Sequence, residues 1–528
     1  MSLLISTDLG YRTRCLAEIT TSNKVWDLVV IGGGATGLGI ALEATLRGIS
    51  TLLVEQTDFA KGTSSRSTKL VHGGVRYLAN GELKLVREAS VERGRLQHNA
   101  PHLVKDQIFI IPVYSFLERI KYTIGLKLYD WIAGKFLLGS SQFISRKETL
   151  QQLSGIESSN LVGGVLYHDG QFDDARLALN LAQTIWENKG FAINYFSVTG
   201  LLKNGQQKVA GIYAKDLETG SNYSIQAKAV VNATGVFADD ILTMDNLIHE
   251  KILSVSQGIH LVLDTTFFPS SDALMIPETS DGRVLFAVPW HNKLVVGTTD
   301  TPIEIASLEP QALEKEINFI LETAAQYLLK KPTRSDVLSV FAGLRPLASN
   351  HSGTQKTKEI SRSHKIIVSA SGLFTMIGGK WTTYRKMGED MVNRIEKDLK
   401  WTRTDTQTKN FLIHGSIHTK DWKDPLYVYG SDSSALKKML NEIGSVLISE
   451  PLQIYEAQVI WAVEHEMART VEDVLSRRTR ALFLDAKESI RIAQPVAELM
   501  ANILHKDSNW IKNQVDDFNS IAKHYLLN

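Results

Sequence analysis

The chain has 528 residues, enough at roughly 100–200 per domain for about two to four folding units. Lys plus Arg total 58 against 57 Asp plus Glu, a balance that argues against an electrostatic nucleic-acid binder and makes any cationic site local. Cys15 is the single cysteine, which excludes intramolecular disulfides, a C-x-x-C redox pair and cysteine-based zinc sites, and the histidines show no metal-ligand spacing.

In chain order, residues 1–25 mix Arg12, Arg14 and Lys24 with Asp8 and Glu18, lack the apolar stretch of a secretory signal, and read as a loose or strand-forming arm. No apolar run reaches the ~18 residues of a membrane-spanning helix. "WDLVVIGGGATGLGIALEATLRGISTLLVEQ" then predicts a buried strand at 29–31, a glycine turn, a small-residue helix through Ala41 and Ala44, and a second strand ending at Glu55. Gly32, Gly34 and Gly37 make G-x-G-x-x-G within this βαβ unit: a tight turn, a backbone open to a pyrophosphate, and close helix-on-strand packing. Glu55 stands about twenty residues on, where a ribose hydroxyl is accepted, and the helix N-terminus offers N–H groups to phosphate. A dinucleotide is expected here.

The hydroxyl-rich loop Thr63, Ser64, Ser65, Ser67 runs into "KLVHGGVRYL", which sets Lys69, His72 and Arg76 around Gly73 and Gly74 and closes on Tyr77. "YSFLERIKYTIGLKLYDWIAGKFLLG" (114–139) interleaves Arg119, Lys121, Lys127 and Lys135 with aromatic residues. That pattern fits a helix lying at lipid headgroups and equally a packing helix with a solvated basic edge. Residues 228–231 predict a strand entering Asn232-Ala233-Thr234-Gly235, a second turn typical of flavoprotein Rossmann domains. No second G-x-G-x-x-G exists for a nicotinamide nucleotide, so FAD is favoured over NAD. Near 382–383 an amphipathic helix begins (Tyr384, Met387, Met391, Ile395, Leu399) just after Gly378-Gly379-Lys380. Backbone N–H groups of such a turn suit the edge of a flavin that becomes negative on reduction, with Thr382 and Thr383 beside it. Beyond about 401 the pattern is mostly helical, in "IYEAQVIWAVEHEM", "TVEDVLSRRTRALF" and "ESIRIAQPVAELMANIL", and a separate C-terminal helical domain is expected.

The segments "IGGGATGLGIA", "TSSRSTKLVHGGVRYL", "DDARL", "NATG", "VGTTD", "GLRPL" and "GGKWTTYRK", in this order, resemble the FAD-dependent glycerol-3-phosphate dehydrogenases among the D-amino-acid-oxidase-like flavoproteins. The resemblance spans about 26–400 and implies an α/β fold: a Rossmann-type FAD-binding domain with an interleaved mixed-sheet substrate domain (26–400), followed by a C-terminal all-α domain (401–528). It implies oxidation of sn-glycerol 3-phosphate to dihydroxyacetone phosphate, hydride passing from C2 to flavin N5 and electrons on to a membrane quinone. It also implies a substrate cavity lined by His72, Arg76, Tyr77, His260, Arg345, Arg362 and Lys380. Peripheral contact through 114–139 would then place the protein, in a bacterium, on the cytoplasmic face of the inner membrane, and a homodimer is compatible with the family. Two positions depart from the pattern: this chain reads Ser256-Gln257-Gly258-Ile259-His260 where family members carry a lysine, and Arg66 stands in the serine-rich loop where a small residue is commoner.

A phosphorylated secondary alcohol needs cations for phosphate, a base for the hydroxyl proton and an electron acceptor. Arg76, Arg345 and Arg362 can offer planar forks and Lys380 a point charge. His72 is the first choice of base and His260 the second. Gly73 and Gly74 would let cofactor and backbone approach, joining the 63–67 loop to the substrate pocket. Oxygen as acceptor, an amino or 2-hydroxy acid as substrate, and a non-enzymatic FAD sensor remain alternatives.

Overall fold

The computed structural model describes residues 9–21, 24–75, 78, 81–279, 282–348, 364–419 and 421–527. Its first element is a helix, α1 (Leu9–Thr20), and not a loose or strand-forming arm. Tyr11, Cys15 and Ile19 recur at four-residue steps and all are buried, giving the segment one apolar stripe. Tyr11 packs on Trp186 and Phe191 and donates its hydroxyl to the Gly190 carbonyl at 2.8 Å. Arg12 reaches Asp216 and the Asn194 carbonyl. Three apolar positions among arginines are too faint a periodicity to read from sequence.

β1 (Val25–Ile31), α2 (Ala35–Leu46) and β2 (Thr51–Val54) form the βαβ unit, with the strands parallel. β3 (Asn222–Asn232) lies parallel on the other side of β1. It is longer than the apolar run at 228–231 because its half-exposed first part pairs antiparallel with Val209–Asp216. The main order of this sheet is Lys365–Val368, Phe374–Ile377, β3, β1, β2, Phe191–Ile193. Three parallel neighbours, Phe374–Ile377, β3 and β1, therefore end side by side, each in a turn containing glycine. Ligands of open α/β sheets bind at this carboxyl edge.

The second sheet is mixed and has ten strands. In it β4 (Leu253–Asp264) pairs antiparallel with β5 (Ser339–Ala348), setting Ser256 opposite Arg345, Gly258 opposite Gly343 and His260 opposite Phe341. Alternation along a strand puts Ser256, Gly258 and His260 on one face and Gln257 and Ile259 on the other. The short strand Leu70–Val71 pairs with Gly163–Gln171, so His72 is the first residue beyond that pairing. Against this sheet packs a helix opened by a Ser115–Glu118 capping box, α4 (Phe116–Ala133), and α3 (Leu83–Asn99) packs on α4 through Val86, Tyr129 and Ile132.

α5 (Tyr384–Asp398) crosses α2 at two glycines. A Cβ on Gly388 would lie 2.4 Å from the Gly39 carbonyl oxygen, and one on Gly39 2.7 Å from that of Tyr384, so the backbones touch and both helix starts meet the same sheet edge. After 401 the chain is mainly helical, with α6 (Glu456–His465), α7 (Ala486–Leu504) and a two-stranded ribbon, Leu447–Ser449 with Ile454–Tyr455. "TVEDVLSRRTRALF" is not one helix: a wide turn at Asp473–Arg478 leads to Arg480 at φ +63° and the short helix Ala481–Leu484. Arg477 and Arg478 turn inward to Asp58 and Arg480 to Asp174, and burying those charges requires their partners more than it requires a regular helix. Val262, Trp290 and Phe341 of the second sheet share a core with Val474, Phe483 and Val496, so the C-terminal helices continue that core.

Candidate active site

Along the carboxyl edge of the first sheet runs a cleft of about 390 Å³ lined by Gly32, Gly34, Glu55, Thr63, Ser64, Ala233, Thr234, Gly235, Gly379 and Lys380, among others. Gly32 sits at φ +110° and a Cβ there would lie 2.7 Å from the Ala233 carbonyl oxygen, so the first two turns touch. A Cβ on Gly37 would fall 1.9 Å from the Gly32 oxygen, which is how α2 lies on its own turn. Gly34 begins α2 without a side-chain cap, and of the helix's first N–H groups Ala35 donates to the Ser64 hydroxyl at 2.9 Å. Glu55 accepts from the Gly33 N–H at 2.7 Å and from the Thr57 N–H and hydroxyl at 2.9 and 3.0 Å. Burial pushes its carboxyl up while these hydrogen bonds oppose, and each oxygen keeps capacity to accept another.

The loop at 63–65 is stitched to two further elements. Thr63 donates to the Leu344 carbonyl at 2.6 Å and the Ser64 carbonyl accepts from the Trp381 indole at 2.8 Å. Ser65 lines neither cavity: its carbonyl takes Lys69 and Arg480 at 2.7 and 2.9 Å. The Ser67 hydroxyl donates to Asp174 at 2.6 Å, while Thr383 donates to the Lys380 carbonyl at 3.3 Å and also lines neither cavity.

A second cavity of about 200 Å³ adjoins the cleft and shares Thr63, Pro346, Gly379, Lys380 and Trp381 with it. It brings together His72, His260, Arg345, Lys380 and Thr382, with Arg66, Ser67, Thr68 and Gly258. Among the described residues its lining holds Arg66, Arg345 and Lys380 and no carboxylate. Arg345 donates to Asp300 at 3.3 Å, the Thr298 hydroxyl at 3.2 Å and the Thr299 carbonyl at 3.1 Å. Gly258 makes room for it: a Cβ there would lie 2.2 Å from Arg345 Nη2. Arg66 is buried and pairs with Glu309 at 2.7 Å, so its charge is balanced within the protein. His260 stacks on Phe341 and its Nε2 lies 2.9 Å from the Thr68 hydroxyl. Burial, then the Lys69 and Arg345 charges, hold its pKa well below the usual histidine value.

Gln257, in the segment where family members carry a lysine, faces away from the cavity and donates to Glu316 at 2.8 Å and the Gln311 carbonyl at 2.9 Å. Gly73 does not open the backbone to the cofactor as expected: a Cβ there would lie 2.1 Å from the Tyr129 hydroxyl and 2.7 Å from that of Ser90, so its missing side chain makes space for α4. Gly74, at φ +82°, lines neither cavity. Arg76, Tyr77 and Arg362 lie outside the described residues. The segment VGTTD and the loop containing Thr68 stand among the motifs of the resemblance, but no role is read from sequence for Thr298, Thr299, Asp300, Thr68 or Gly258, because the pairing of distant strands brings them to Arg345 and His260.

A cleft at the carboxyl edge of a glycine-turned parallel sheet, joined to a small cationic cavity, is the arrangement of a dinucleotide-dependent oxidoreductase. The family model for FAD-dependent oxidoreductases matches residues 27–385, and that for the C-terminal domain of alpha-glycerophosphate oxidase matches 374–510. The mitochondrial glycerol-3-phosphate dehydrogenase of Bos taurus is 37% identical over 97% of this chain and 74% of its own length. The structure of glycerol-3-phosphate dehydrogenase from Bacillus halodurans complexed with FAD superposes with a TM-score of 0.78 at 31% identity, covering 97% of each chain. L-alpha-glycerophosphate oxidase from Mycoplasma pneumoniae, 17% identical with a TM-score of 0.56 over 74% of this chain and 98% of its own, shares the fold. The chain belongs to the FAD-dependent oxidoreductases and, within them, to the glycerol-3-phosphate dehydrogenase family.

FAD is the cofactor of that class, and the cleft fits it. Gly32, Gly34 and Gly37 keep side chains out of the fingerprint turn, the start of α2 lacks a side-chain cap, Glu55 lines the cleft beside that turn, and Gly378 and Gly379, both at positive φ, lead into α5.

Proposed function

We propose that the protein oxidises sn-glycerol 3-phosphate at C2 to dihydroxyacetone phosphate and passes the electrons to a membrane quinone. The observation that carries the substrate is the small cavity opening off the cofactor cleft, with Arg345 and Lys380 on its wall and no carboxylate among its described lining residues. Each charged hydrogen bond from these cations to phosphate contributes roughly 1.5–3 kcal/mol, so two suffice to prefer a phosphate over a hydroxyl. Asp300, Thr298 and Thr299 hold the Arg345 fork in one orientation, so little freedom is lost when phosphate arrives.

FAD, when bound, supplies the acceptor for the hydride leaving C2. The hydroxyl proton must leave at the same stage, and His72 is the side chain that receives it. His260 is disfavoured as the base because burial and two neighbouring cations oppose a positive charge on its ring. Neutral, it serves as a hydrogen-bonding wall that keeps Thr68 in place.

The acceptor reading rests on α4. Its buried side is Leu126, Tyr129 and Ile132, while Phe116, Leu117, Ile120, Ile124, Leu128 and Trp131 form an exposed apolar row, Leu117 at 78% and Trp131 at 80%. Lys121, Lys127 and Lys135 accompany that row. Such a face fits the boundary of an anionic bilayer, where quinones are reached. Among the described residues no helix is long and apolar enough to cross a membrane, so the contact is peripheral, in a bacterium on the cytoplasmic face of the inner membrane.

Anaerobic addition of glycerol 3-phosphate to the FAD-loaded protein should bleach the flavin, and a quinone analogue should restore its colour faster than air does. A flavin that stays yellow removes the substrate, and faster recovery in air removes the quinone.

A further inference from the structure

His72 leaves the second sheet where the pairing of Val71 with Gly170 ends, and what restrains the next residue is a buried cluster behind the cavity. The Gly73 N–H donates to Asp169 Oδ1 at 3.1 Å. Asp169 also accepts from Arg93 at 2.8 Å and from the Tyr129 hydroxyl at 3.3 Å. Arg93 donates further to the Tyr129 oxygen at 2.9 Å and to the Phe136 carbonyl at 3.0 Å. All three side chains are buried and none lines either cavity. The Tyr129 phenol fills the space a Gly73 side chain would occupy. Burial first, and then the Asp169 charge, push that phenol far up against the pull of Arg93, so it remains a hydroxyl at working pH.

We propose that Arg93, Asp169 and Tyr129 form a positioning unit that sets His72 against the substrate, an inference that rests on reading His72 as the base. Asp169 precedes Gly170 on its strand, at the position where the antiparallel ladder would have continued opposite His72, and its carboxylate replaces the missing backbone pairing by accepting from the Gly73 N–H. Tyr129, hydrogen-bonded to the same carboxylate, fills the space beside Gly73, so the backbone at 73 cannot shift without leaving a buried N–H and a buried carboxylate short of partners. A base displaced by ~1 Å can lose about 10²-fold in rate, so a modest loosening here is visible kinetically.

Tyr129→Phe keeps the ring and removes the hydroxyl. It should slow anaerobic bleaching at saturating glycerol 3-phosphate about 10-fold, with the half-saturating concentration within about threefold of wild type and FAD content unchanged. Asp169→Asn should go further in the same direction, and Tyr129→Phe carries the test if that variant folds poorly. In a His72→Asn background, Tyr129→Phe should add nothing, because the group it positions is gone. Equal slowing in both backgrounds, or wild-type bleaching by Tyr129→Phe alone, overturns the proposal. His72→Asn bleaching at the wild-type rate removes His72 as the base and the positioning unit with it, a failure read in that single variant.

Discussion

Replacing Gly258 by alanine tests the phosphate-binding role of Arg345 without touching Arg345. The added Cβ would stand 2.2 Å from Nη2, 2.7 Å from Cζ and 2.5 Å from the Thr298 hydroxyl. Carbon contacts are favourable at roughly 3.5 Å, so the guanidinium must retreat by more than about 1 Å. It is held by hydrogen bonds of 3.1 to 3.3 Å to Thr299, Thr298 and Asp300, which such a shift breaks or re-aims. Loss of one charged hydrogen bond to the substrate phosphate is worth about 1.5–3 kcal/mol, or about 10- to 150-fold in affinity. Steady-state assay with a dye acceptor should show KM for glycerol 3-phosphate raised by that factor and kcat within about threefold. FAD content should hold, because neither Arg345 nor Thr298 lines the cofactor cleft, and the loss of stability should stay within the ~1–3 kcal/mol of a local overpacking. An unchanged KM in a folded, FAD-loaded Gly258→Ala protein would show that the guanidinium is not where the phosphate binds.

Leu117→Glu with Ile124→Glu places two carboxylates on the exposed apolar row of α4; cosedimentation with anionic vesicles and quinone reduction should fall at least about 10-fold, since each charge opposes both the apolar and the electrostatic parts of binding. Bleaching by glycerol 3-phosphate should be unaffected, and retained vesicle binding would refute the surface. His414 lies between Asp432 and Glu187, and although burial opposes its charge, hydrogen bonds to Asp432 and then Glu187 push its pKa up to about 10. Because the folded value exceeds the unfolded one of about 6.5, its stabilisation is complete below that pH and is lost as pH rises through about 10. The Tm gap between wild type and His414→Asn should therefore shrink from about pH 6.5 to pH 10, and a gap that widens contradicts the pairing.

What sequence revealed about the site depended on how local each residue's task is. Gly32, Gly34, Gly37 and Glu55 lie within one βαβ unit, and Gly379 and Lys380 at one turn into a helix, so a short window of sequence is enough to bring them to notice. Gly258 and the Thr298, Thr299, Asp300 clamp act through the register of β4 on β5 and on Lys293–Gly297, and no short window contains that information. Gly73 misled for a related reason: a glycine beside a functional histidine looks like room for a ligand, whereas the neighbour it accommodates, Tyr129, is supplied by a helix fifty or so residues on. Arg477, Arg478 and Arg480 lie in a segment whose sequence reads as helical, and they are interior because Asp58 and Asp174 meet them from the first half of the chain.

The same division explains why the substrate cavity lies where it does. The cofactor cleft is made by the carboxyl edge of a parallel sheet, where helix starts attract anions, and the small cavity is made by the face of an antiparallel pair, which offers no such dipoles. A second anion held there must therefore be met by side-chain cations, and Arg345 on β5 is aimed from that face by residues of the same sheet. Lys380 stands on a turn whose residues Gly379, Lys380 and Trp381 wall both spaces, and it brings to the small cavity a cation that comes from neither strand of the antiparallel pair.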